Sequence, residues 1–288
     1  MKWTLFLFIF ILVSCAQLGL RGPAGKTPER HIVFDIDWTI VSEIKNPTPV
    51  ILKNPRVIDV HGSYYFVNEG LEEFMADILS HPEIRISFYS GGKAVRNQEL
   101  LSKIKLKNGK SLLEISYKVL GSDELVLVEA LPGARFAERF KKDLTKISKD
   151  LDQLIMLDDT MNFVVDSSDN QNEHVFFIGK AFEYFENFKD AEGMSGEYIP
   201  HTYDEWFLNR KKLNVLNAVF KEAYAESVES GISFSEAMKK REVMLNLNDN
   251  EWNSYVSSYY KKFQNIKIPK TPGAEMECRH IAKLLMGR

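Results

Sequence analysis

Residues 31–42 carry the side chains with the clearest chemical potential and read HIVFDIDWTIVS. The apolar run 32–34 predicts a short buried strand, and two carboxylates, Asp35 and Asp37, follow it two residues apart. An ionised carboxylate beside an apolar strand must be paired, bound to a metal or protonated. At this spacing one carboxylate can bind a hard cation and attack phosphorus, the second can transfer a proton, and the hydroxyl of Thr39 can hydrogen-bond to either. The alternative without chemistry is a strand that ends in an Asx-turn.

A second apolar strand is predicted at Ile84–Tyr89, and it ends in Ser90, Gly91 and Gly92. Glycines leave the backbone amides bare, and a tight turn followed by a helix N-terminus, here predicted at 93–104, forms a cradle for an anion. The turn is therefore a candidate phosphate-binding element. The alternative is an ordinary turn between a strand and a helix.

A third apolar run, at 154–157, ends in Asp158 and Asp159. Helical patterns separate the three runs, and this alternation predicts an α/β fold with a Rossmann-like parallel sheet. Ligands bind at the carboxyl ends of the strands in such sheets, so we expect the three polar clusters to converge on one site. A metal held by Asp35 and Asp158 would explain the concentration of negative charge there, and hard oxygen ligands with open positions suit Mg²⁺.

Composition and charge exclude some classes of protein. The chain has 288 residues, of which 44% are hydrophobic and 27% are charged, as in ordinary globular proteins. The formal net charge is -3 and the basic residues are dispersed, so we expect no nucleic-acid partner. The two cysteines, Cys15 and Cys278, are too few for a disulfide-rich scaffold.

The N-terminal residues 1–14 resemble an export signal, in which Lys2 precedes an apolar run at 3–13. This run is shorter than the roughly 20 residues that a transmembrane helix needs. The tetrad LVSC, which ends at Cys15, resembles a bacterial lipobox and implies an exported protein that is anchored to the cell envelope through a lipid on Cys15. Ala16 after the cysteine resembles lipoproteins sorted to the outer membrane, on its periplasmic face. The alternatives are a plain secretory signal and a buried first strand.

The chain divides into four predicted regions: a signal peptide at 1–14, a glycine- and proline-rich tether at 15–30, an α/β domain at 31–190 and a helical extension at 191–288. Within the α/β domain we predict a β-hairpin at 57–67 and a helix at 68–80. Strands at 115–120 and 124–129 are predicted to form a small β insert near the mouth of the site. A lysine-rich helix is predicted at 135–150, with one lysine as a candidate to point inward. The helices predicted for the extension are at 205–227, 233–245, 250–263 and 274–286.

The order of these motifs, Asp-x-Asp-x-Thr, Ser, Lys and Asp-Asp, resembles that of the haloacid-dehalogenase-like phosphatase superfamily. Within it, the chain is most similar to the RNA polymerase C-terminal-domain phosphatases, also called NLI-interacting-factor-like. The similarity covers about residues 31–180 and includes the segments GLEEF at 70–74, KDLTKI at 142–147, KDL at 149–151 and LIMLDD at 154–159. The chain departs from that branch at Trp38, at Ser42 and at the turn 90–92, where the branch often has Glu, His and Thr-Ala-Ser.

This resemblance implies a phosphatase that hydrolyses phosphate monoesters, in a phosphorylated small molecule or a phosphoprotein, through an aspartyl-phosphate. Asp35 would be the nucleophile, Asp37 the general acid and base, and Thr39 the residue that orients Asp37. The groups that would bind the phosphoryl oxygens are Ser90, the Gly91 amide and Lys142. The ligands of Mg²⁺ would be Asp35, the Asp37 carbonyl, Asp158 and, through water, Asp159. The alternative function is a catalytically inactive, lipid-anchored binding protein on the same scaffold.

Overall fold

Ten β-strands in the described part of the chain form three sheets. The structure, a computed structural model, describes residues 28–166 and 170–246. In chain order the strands are β1 (Arg30–Phe34), β2 (Val41–Glu43), β3 (Val57–Val60), β4 (Ser63–Val67), β5 (Ile84–Tyr89), β6 (Lys118–Leu120), β7 (Val126–Leu127), β8 (Phe140–Lys141), β9 (Leu154–Asp158) and β10 (Val175–Phe177).

Six α-helices accompany these strands within the same described ranges. In chain order they are α1 (Leu71–Leu79), α2 (Ala94–Lys103), α3 (Leu112–Ile115), α4 (Phe136–Arg139), α5 (Tyr203–Ser230) and α6 (Phe234–Asn246). None of the described helices has an apolar stretch that is long enough to span a membrane.

The central sheet is parallel throughout and has the strand order β10-β9-β1-β5-β6. β1 lies in the middle, and all of its residues are buried. The register places Phe34 opposite Phe88 on one side and opposite Leu157 on the other. A parallel sheet with buried central strands is typical of α/β folds, so the predicted fold class is confirmed.

Alternate residues of β1 enter different hydrophobic clusters. Phe34 packs against Phe74 of α1, with ring centroids 5.5 Å apart, and Phe74 in turn contacts Phe220 of α5. Val33 belongs to a second cluster that includes Met156 of β9. Because successive side chains of a strand point to opposite faces, both faces of the sheet hold β1 in place at the point where Asp35 follows it.

The three-stranded antiparallel sheet has the order β2-β4-β3 and contains the predicted hairpin. His61 and Gly62 at its turn have positive φ angles of 52° and 81°. Two consecutive positive φ angles are the requirement of a type I′ hairpin turn. Phe66 of β4 stacks on Tyr184, with ring centroids 3.9 Å apart, and this contact joins the small sheet to the segment that follows β10.

The predicted strand at 115–120 is wrong in part and does not belong to an insert. Residues 118–120 form β6, the edge strand of the central sheet, which pairs in parallel with β5. Residue 115, predicted to begin the strand, is instead the last residue of α3. Ser111 caps the start of α3: its hydroxyl accepts a hydrogen bond from the Glu114 amide, and the Glu114 carboxylate accepts one from the Ser111 amide. Of the predicted second strand, β7 is present and pairs with β8.

The predicted helix at 135–150 is present only at Phe136–Arg139, as α4, and is wrong for the remaining residues. α4 ends at Arg139, and the chain continues as β8 and then as a 3-10 turn at Leu144–Lys146. The carboxylate of Asp143 accepts a hydrogen bond from the Thr145 amide at 3.0 Å, a local contact that favours a turn over a helix. In addition, the Lys142 amide donates to the carbonyl of Phe163 at 2.9 Å, which holds this backbone extended.

The predicted helices at 205–227 and 233–245 are present as α5 and α6. α5 begins at a capping box formed by Thr202 and Glu205 and ends before Gly231, which has a φ of 73°. Leu213 and Phe220 of α5 belong to the same core as the central sheet. The described part of the C-terminal region therefore packs onto the α/β domain.

Several predictions lie outside the described residues. They are the signal peptide at 1–14, most of the tether at 15–30, lipidation of Cys15, the state of Cys278, and the helices at 250–263 and 274–286.

Candidate active site

The ends of three parallel strands bring polar side chains together at one edge of the central sheet. Asp35 follows β1, Asp158 is the last residue of β9, and Ser90 follows β5. The Asp35 amide donates to the Leu157 carbonyl at 2.9 Å, so the pairing of β1 with β9 continues into the site. This is the edge at which ligands of open α/β sheets bind.

Asp35, Asp158 and Asp159 form an acidic cluster, in which carboxylate oxygens of all three lie within 4.8 Å of one another. Burial raises the pKa of Asp35 well above its usual value; Lys142 opposes this shift and Asp158 adds to it. Burial also raises the pKa of Asp159 to about 7, and the neighbouring Asp158 adds to this shift. The cluster therefore concentrates carboxylates where their negative charge is poorly solvated.

Lys142 is fully buried and contacts two members of the acidic cluster. Its Nζ donates to Asp35 Oδ1 and to Asp158 Oδ2, at 2.7 Å in each case. Burial lowers the pKa of Lys142, but the charges of Asp158 and Asp35 outweigh burial and hold that pKa above its ordinary value. The lysine that points into the site from the lysine-rich segment is thus Lys142.

The other lysines of this segment are directed elsewhere. Lys141 donates to the carbonyl of Asn162, and Lys146 bonds to the carbonyl and the carboxylate of Glu124. Lys149 is exposed. The orientation of Lys142 differs because its backbone is paired with the strand-like segment at 163–165. The Lys142 amide donates to the Phe163 carbonyl, and the Lys142 carbonyl accepts a hydrogen bond from the Val165 amide.

The acidic cluster fits a divalent cation. Its three side chains offer oxygen ligands alone, which is the donor set that Mg²⁺ prefers. Lys142 donates hydrogen bonds to two carboxylates of the cluster. Its single positive charge does not balance the negative charge of three carboxylates, and a divalent cation would balance the remainder.

Asp37 lies beside the acidic cluster and is bound by two other residues. The hydroxyl of Ser90 donates to Asp37 Oδ2 at 3.1 Å. Arg96 of α2 donates from Nη1 to Oδ2 at 3.0 Å and from Nη2 to Oδ1. Arg96 could not be predicted as a site residue from the sequence, because a charged residue on a helix is usually solvated and nothing in the local pattern distinguishes this one.

Thr39 does not make the predicted hydrogen bond to Asp37. Its side chain is fully buried, and its hydroxyl makes no hydrogen bond within the part of the chain that the structure describes. The backbone carbonyl of Thr39 instead accepts a hydrogen bond from Asn68 at 2.9 Å, and Asn68 accepts one from Ser42. Thr39 therefore fixes the loop through its backbone and through packing.

The turn after β5 is closed by its own side chains. The Gly92 amide donates to the Ser90 hydroxyl at 3.1 Å, and the buried side chain of Asn97 donates to the Gly92 carbonyl at 3.1 Å. A Cβ added at Gly91 would lie 3.0 Å from the ring of Phe136, and one added at Gly92 would lie 2.7 Å from Asn97. Glycine at both positions lets the turn lie close against these neighbours.

A family model described as NLI interacting factor-like phosphatase matches residues 30–192, which is more than half of the chain. The chain belongs to this phosphatase family. Among curated proteins, no sequence is significantly similar to it.

Two solved structures are among those to which the chain is similar. One is Fcp1, described as an essential RNA polymerase II CTD phosphatase, with 14% identity, a TM-score of 0.39 and coverage of 73% of this chain and 69% of that chain. The other is a variant of the fission yeast RNA polymerase II CTD phosphatase Fcp1 bound to beryllium fluoride, with 15% identity, a TM-score of 0.35 and coverage of 81% and 66%. The chain thus spans about two thirds of the length of each.

One further lysine at the site of this NLI interacting factor-like phosphatase comes from outside the matched segment. Lys212 of α5 is buried, and its Nζ donates to the backbone carbonyl of Trp38 and, at 3.2 Å, to Asn209. Burial lowers the pKa of Lys212 to about 8, while the charge of Asp159 acts in the opposite direction. No site residue was predicted in this helix, because Lys212 lies in a run of basic residues that is typical of a solvated helix face.

Proposed function

We propose that the protein is a Mg²⁺-dependent phosphatase that hydrolyses phosphate monoesters through an aspartyl-phosphate on Asp35. The observation that carries this proposal is the pair of 2.7 Å contacts from buried Lys142 to Asp35 and Asp158. They place one cation between two carboxylates at the ligand-binding edge of the sheet, with Asp37 on the same loop as Asp35. Membership of a phosphatase family supports the same reaction class.

The acidic cluster and the backbone carbonyl of Asp37 would hold Mg²⁺, with Asp159 acting through water. When bound, Mg²⁺ would supply positive charge that neutralises phosphoryl oxygens and carboxylates.

In the first step, the Asp35 carboxylate would attack phosphorus and form the aspartyl-phosphate, while the bond from phosphorus to the leaving oxygen breaks. The hydrogen bond from Lys142 to Oδ1 fixes the direction of the Asp35 carboxylate before this attack. Asp37 would transfer its proton to the leaving oxygen. In the second step, Asp37 would accept a proton from a water molecule that attacks phosphorus, and this releases phosphate and restores Asp35.

The phosphoryl oxygens would be bound by the turn that follows β5 and by Lys142. The Ser90 hydroxyl and the Gly91 amide belong to a turn that Asn97 holds in shape through the Gly92 carbonyl. Donors that are fixed before the reaction stabilise developing charge without reorganisation, and this is their main contribution to rate.

A generic aryl phosphate assayed with and without Mg²⁺ tests the proposal. We expect hydrolysis that depends on added Mg²⁺, that chelation of the metal abolishes, and that Asp35→Asn abolishes as well. Hydrolysis that is unaffected by Asp35→Asn would overturn the assignment of the nucleophile. A complete lack of hydrolysis by the folded protein would favour the inactive binding protein on the same scaffold.

The cellular setting and the substrate class are proposals that rest on the sequence. The LVSC tetrad supports export and lipid anchoring through Cys15 at the outer membrane, on the periplasmic face. The substrate would then be a phosphorylated small molecule or a phosphoprotein that reaches the cell envelope.

A further inference from the structure

Arg96 is a mostly buried cation that the mechanism above leaves without a role; its side chain is 20% exposed. Its two terminal nitrogens donate to the two oxygens of Asp37, and the Ser90 hydroxyl donates to Oδ2 of the same carboxylate. Both oxygens of the Asp37 side chain therefore accept hydrogen bonds from residues of the protein. A second partner for Arg96 would release the Asp37 side chain to contact the leaving oxygen of a substrate.

The guanidinium lies directly at the turn that would bind the phosphoryl group. A Cβ added at Gly92 would be 3.2 Å from Nη1 of Arg96. The same Nη1 donates to Asn97, the residue that holds the turn in shape, at 2.9 Å. On its other side the guanidinium lies over the ring of Tyr65, 4.8 Å from the centroid. A small rotation of the side chain, supported by Asn97 and Tyr65, would bring it to an anion bound at the turn.

The hydrogen-bond partners of the three cationic side chains at the site also favour Arg96 as the one that would bind an anion. Lys142 is bound to Asp35 and Asp158, and Lys212 is bound to the Trp38 carbonyl and Asn209. Arg96 is bound to Asp37, the group that would carry and accept the proton in the proposed reaction. If Asp37 carries the proton, Arg96 loses a charged partner, and a phosphoryl dianion would replace that partner with matching bidentate geometry.

We propose that Arg96 is a phosphoryl-binding residue, which leaves Asp37 for the oxygens of the substrate's phosphoryl group and thereby frees Asp37 to carry the proton. This inference rests on the proposed function, because it assumes that the protein hydrolyses phosphate monoesters. It concerns a residue to which the sequence motifs assign no role, and binding of inorganic phosphate tests it independently of turnover.

The test compares phosphate binding, measured by calorimetry in the presence of Mg²⁺, with steady-state kinetics on an aryl phosphate. Arg96→Gln is expected to weaken phosphate binding and to raise KM by roughly 10- to 100-fold, the range for a lost charged hydrogen bond. Arg96→Lys keeps the charge but loses the bidentate geometry, so we expect a smaller loss of binding. Lys103→Gln is the matched control, because Lys103 is exposed, is the last residue of α2, and its substitution removes the same charge from the same helix. The control is expected to change phosphate binding by less than about threefold.

Unchanged phosphate binding in Arg96→Gln, or a higher kcat at unchanged KM, would mean that Arg96 merely restrains Asp37, and either result overturns the proposal. Equal losses in Arg96→Gln and Lys103→Gln would overturn it too, because a general effect of charge would explain both. If Arg96→Gln does not fold, Arg96→Lys carries the test, and unchanged binding in that variant overturns the proposal. If the unmodified protein binds phosphate through Arg96 but hydrolyses no aryl phosphate, the role of Arg96 stands and the proposed function fails.

Discussion

The amine of Lys212 donates a hydrogen bond to the backbone carbonyl of Trp38, and this contact joins α5 to the loop that carries Asp35 and Asp37. Trp38 has a φ of 62°, in the left-handed region that costs a non-glycine residue about 1–2 kcal/mol. Its indole stacks on Tyr198, with ring centroids 5.6 Å apart and an angle of 11° between the planes. Two residues beyond the family-matched segment therefore stabilise a strained residue next to Asp37.

Lys212→Met tests whether this contact positions the catalytic loop. The substitution leaves the Trp38 carbonyl without the donor that Lys212 supplies, so we expect a loss of about 1–3 kcal/mol in the free energy of unfolding. We also expect kcat on an aryl phosphate to fall by at least about tenfold with little change in KM, since the loop carries the reacting carboxylates and a small misplacement slows the chemical step. Chemical denaturation and steady-state kinetics measure the two effects.

The neighbouring Lys211→Met is the matched control. Lys211 pairs with Glu69 and is absent from the active site, so its substitution is expected to leave kcat within about twofold of the unmodified protein. Equal losses of kcat in both variants would show that α5 acts on the site through general stability and not through the Trp38 carbonyl.

The raised pKa of Asp159 predicts how metal binding depends on pH. Its pKa is about 7 in the folded protein, whereas an unfolded chain has a value near 3.9. Between these values Asp159 is more protonated in the folded state, so its contribution to the stability of the metal-free protein falls as pH rises from about 4 to about 7. Mg²⁺ requires the ionised carboxylate, so the rise in melting temperature that Mg²⁺ causes should be larger at a pH of about 8 than at about 5.5.

Asp159→Asn should reduce this pH dependence, and Asp166→Asn on the exposed loop is the control that should leave it unchanged. Thermal unfolding in Mg²⁺ and in chelator, at both pH values, gives the comparison. A stabilisation by Mg²⁺ that is equal at the two pH values would contradict the competition between protons and metal at the acidic cluster.

Lys142 is predicted to be the lysine on which turnover depends. Lys142→Ala removes the donor to Asp35 and Asp158 and leaves buried carboxylates without a cation, so we expect kcat to fall by about 100- to 1,000-fold. Alanine substitutions at Lys141, Lys146 and Lys149 should each change kcat by less than about threefold, because their side chains point elsewhere. Comparable losses at Lys146 or Lys149 would mean that Lys142 is not the phosphoryl-binding lysine.

The site residues at the strand ends could be predicted because each one follows a local signal. Asp35, Ser90 and Asp158 come directly after apolar runs, and the geometry of parallel sheets brings the ends of such runs together. No long-range information was needed beyond the alternation of strands and helices.

Arg96 and Lys212 could not be predicted, because their roles depend on packing between elements that are distant in the sequence. The local sequence around each residue is typical of a solvated helix face. The packing of α2 places Arg96 over Tyr65, and the packing of α5 places Lys212 against the Trp38 carbonyl. The helix expected at 135–150 fails for a related reason. Its lysine spacing suits a helix, but pairing with the segment at 163–165 overrides that local preference.

Cys15→Ser tests the proposed lipid anchor. The LVSC tetrad predicts that the cysteine carries the lipid, so the variant should move from the membrane fraction to the soluble fraction. Cys278→Ser is the control and should leave the distribution unchanged. If the Cys15→Ser protein stays in the membrane fraction to the same extent, the lipobox interpretation of this tetrad is wrong.

The division of work between Asp35 and Asp37 gives the sharpest prediction. Asp35→Asn removes the proposed nucleophile, so it should abolish turnover and any trapped phosphoryl-enzyme. Asp37→Asn keeps the backbone carbonyl for Mg²⁺ but loses the acid and base, and an aryl leaving group needs little protonation in the first step. We therefore expect phosphorylated Asp35 to accumulate in Asp37→Asn, since water lacks its base in the second step. Mass spectrometry after brief exposure to substrate checks both variants. A phosphorylated Asp35→Asn protein would refute the assignment of the nucleophile. A phosphoryl group on a residue other than Asp35 in the Asp37→Asn protein would refute it as well.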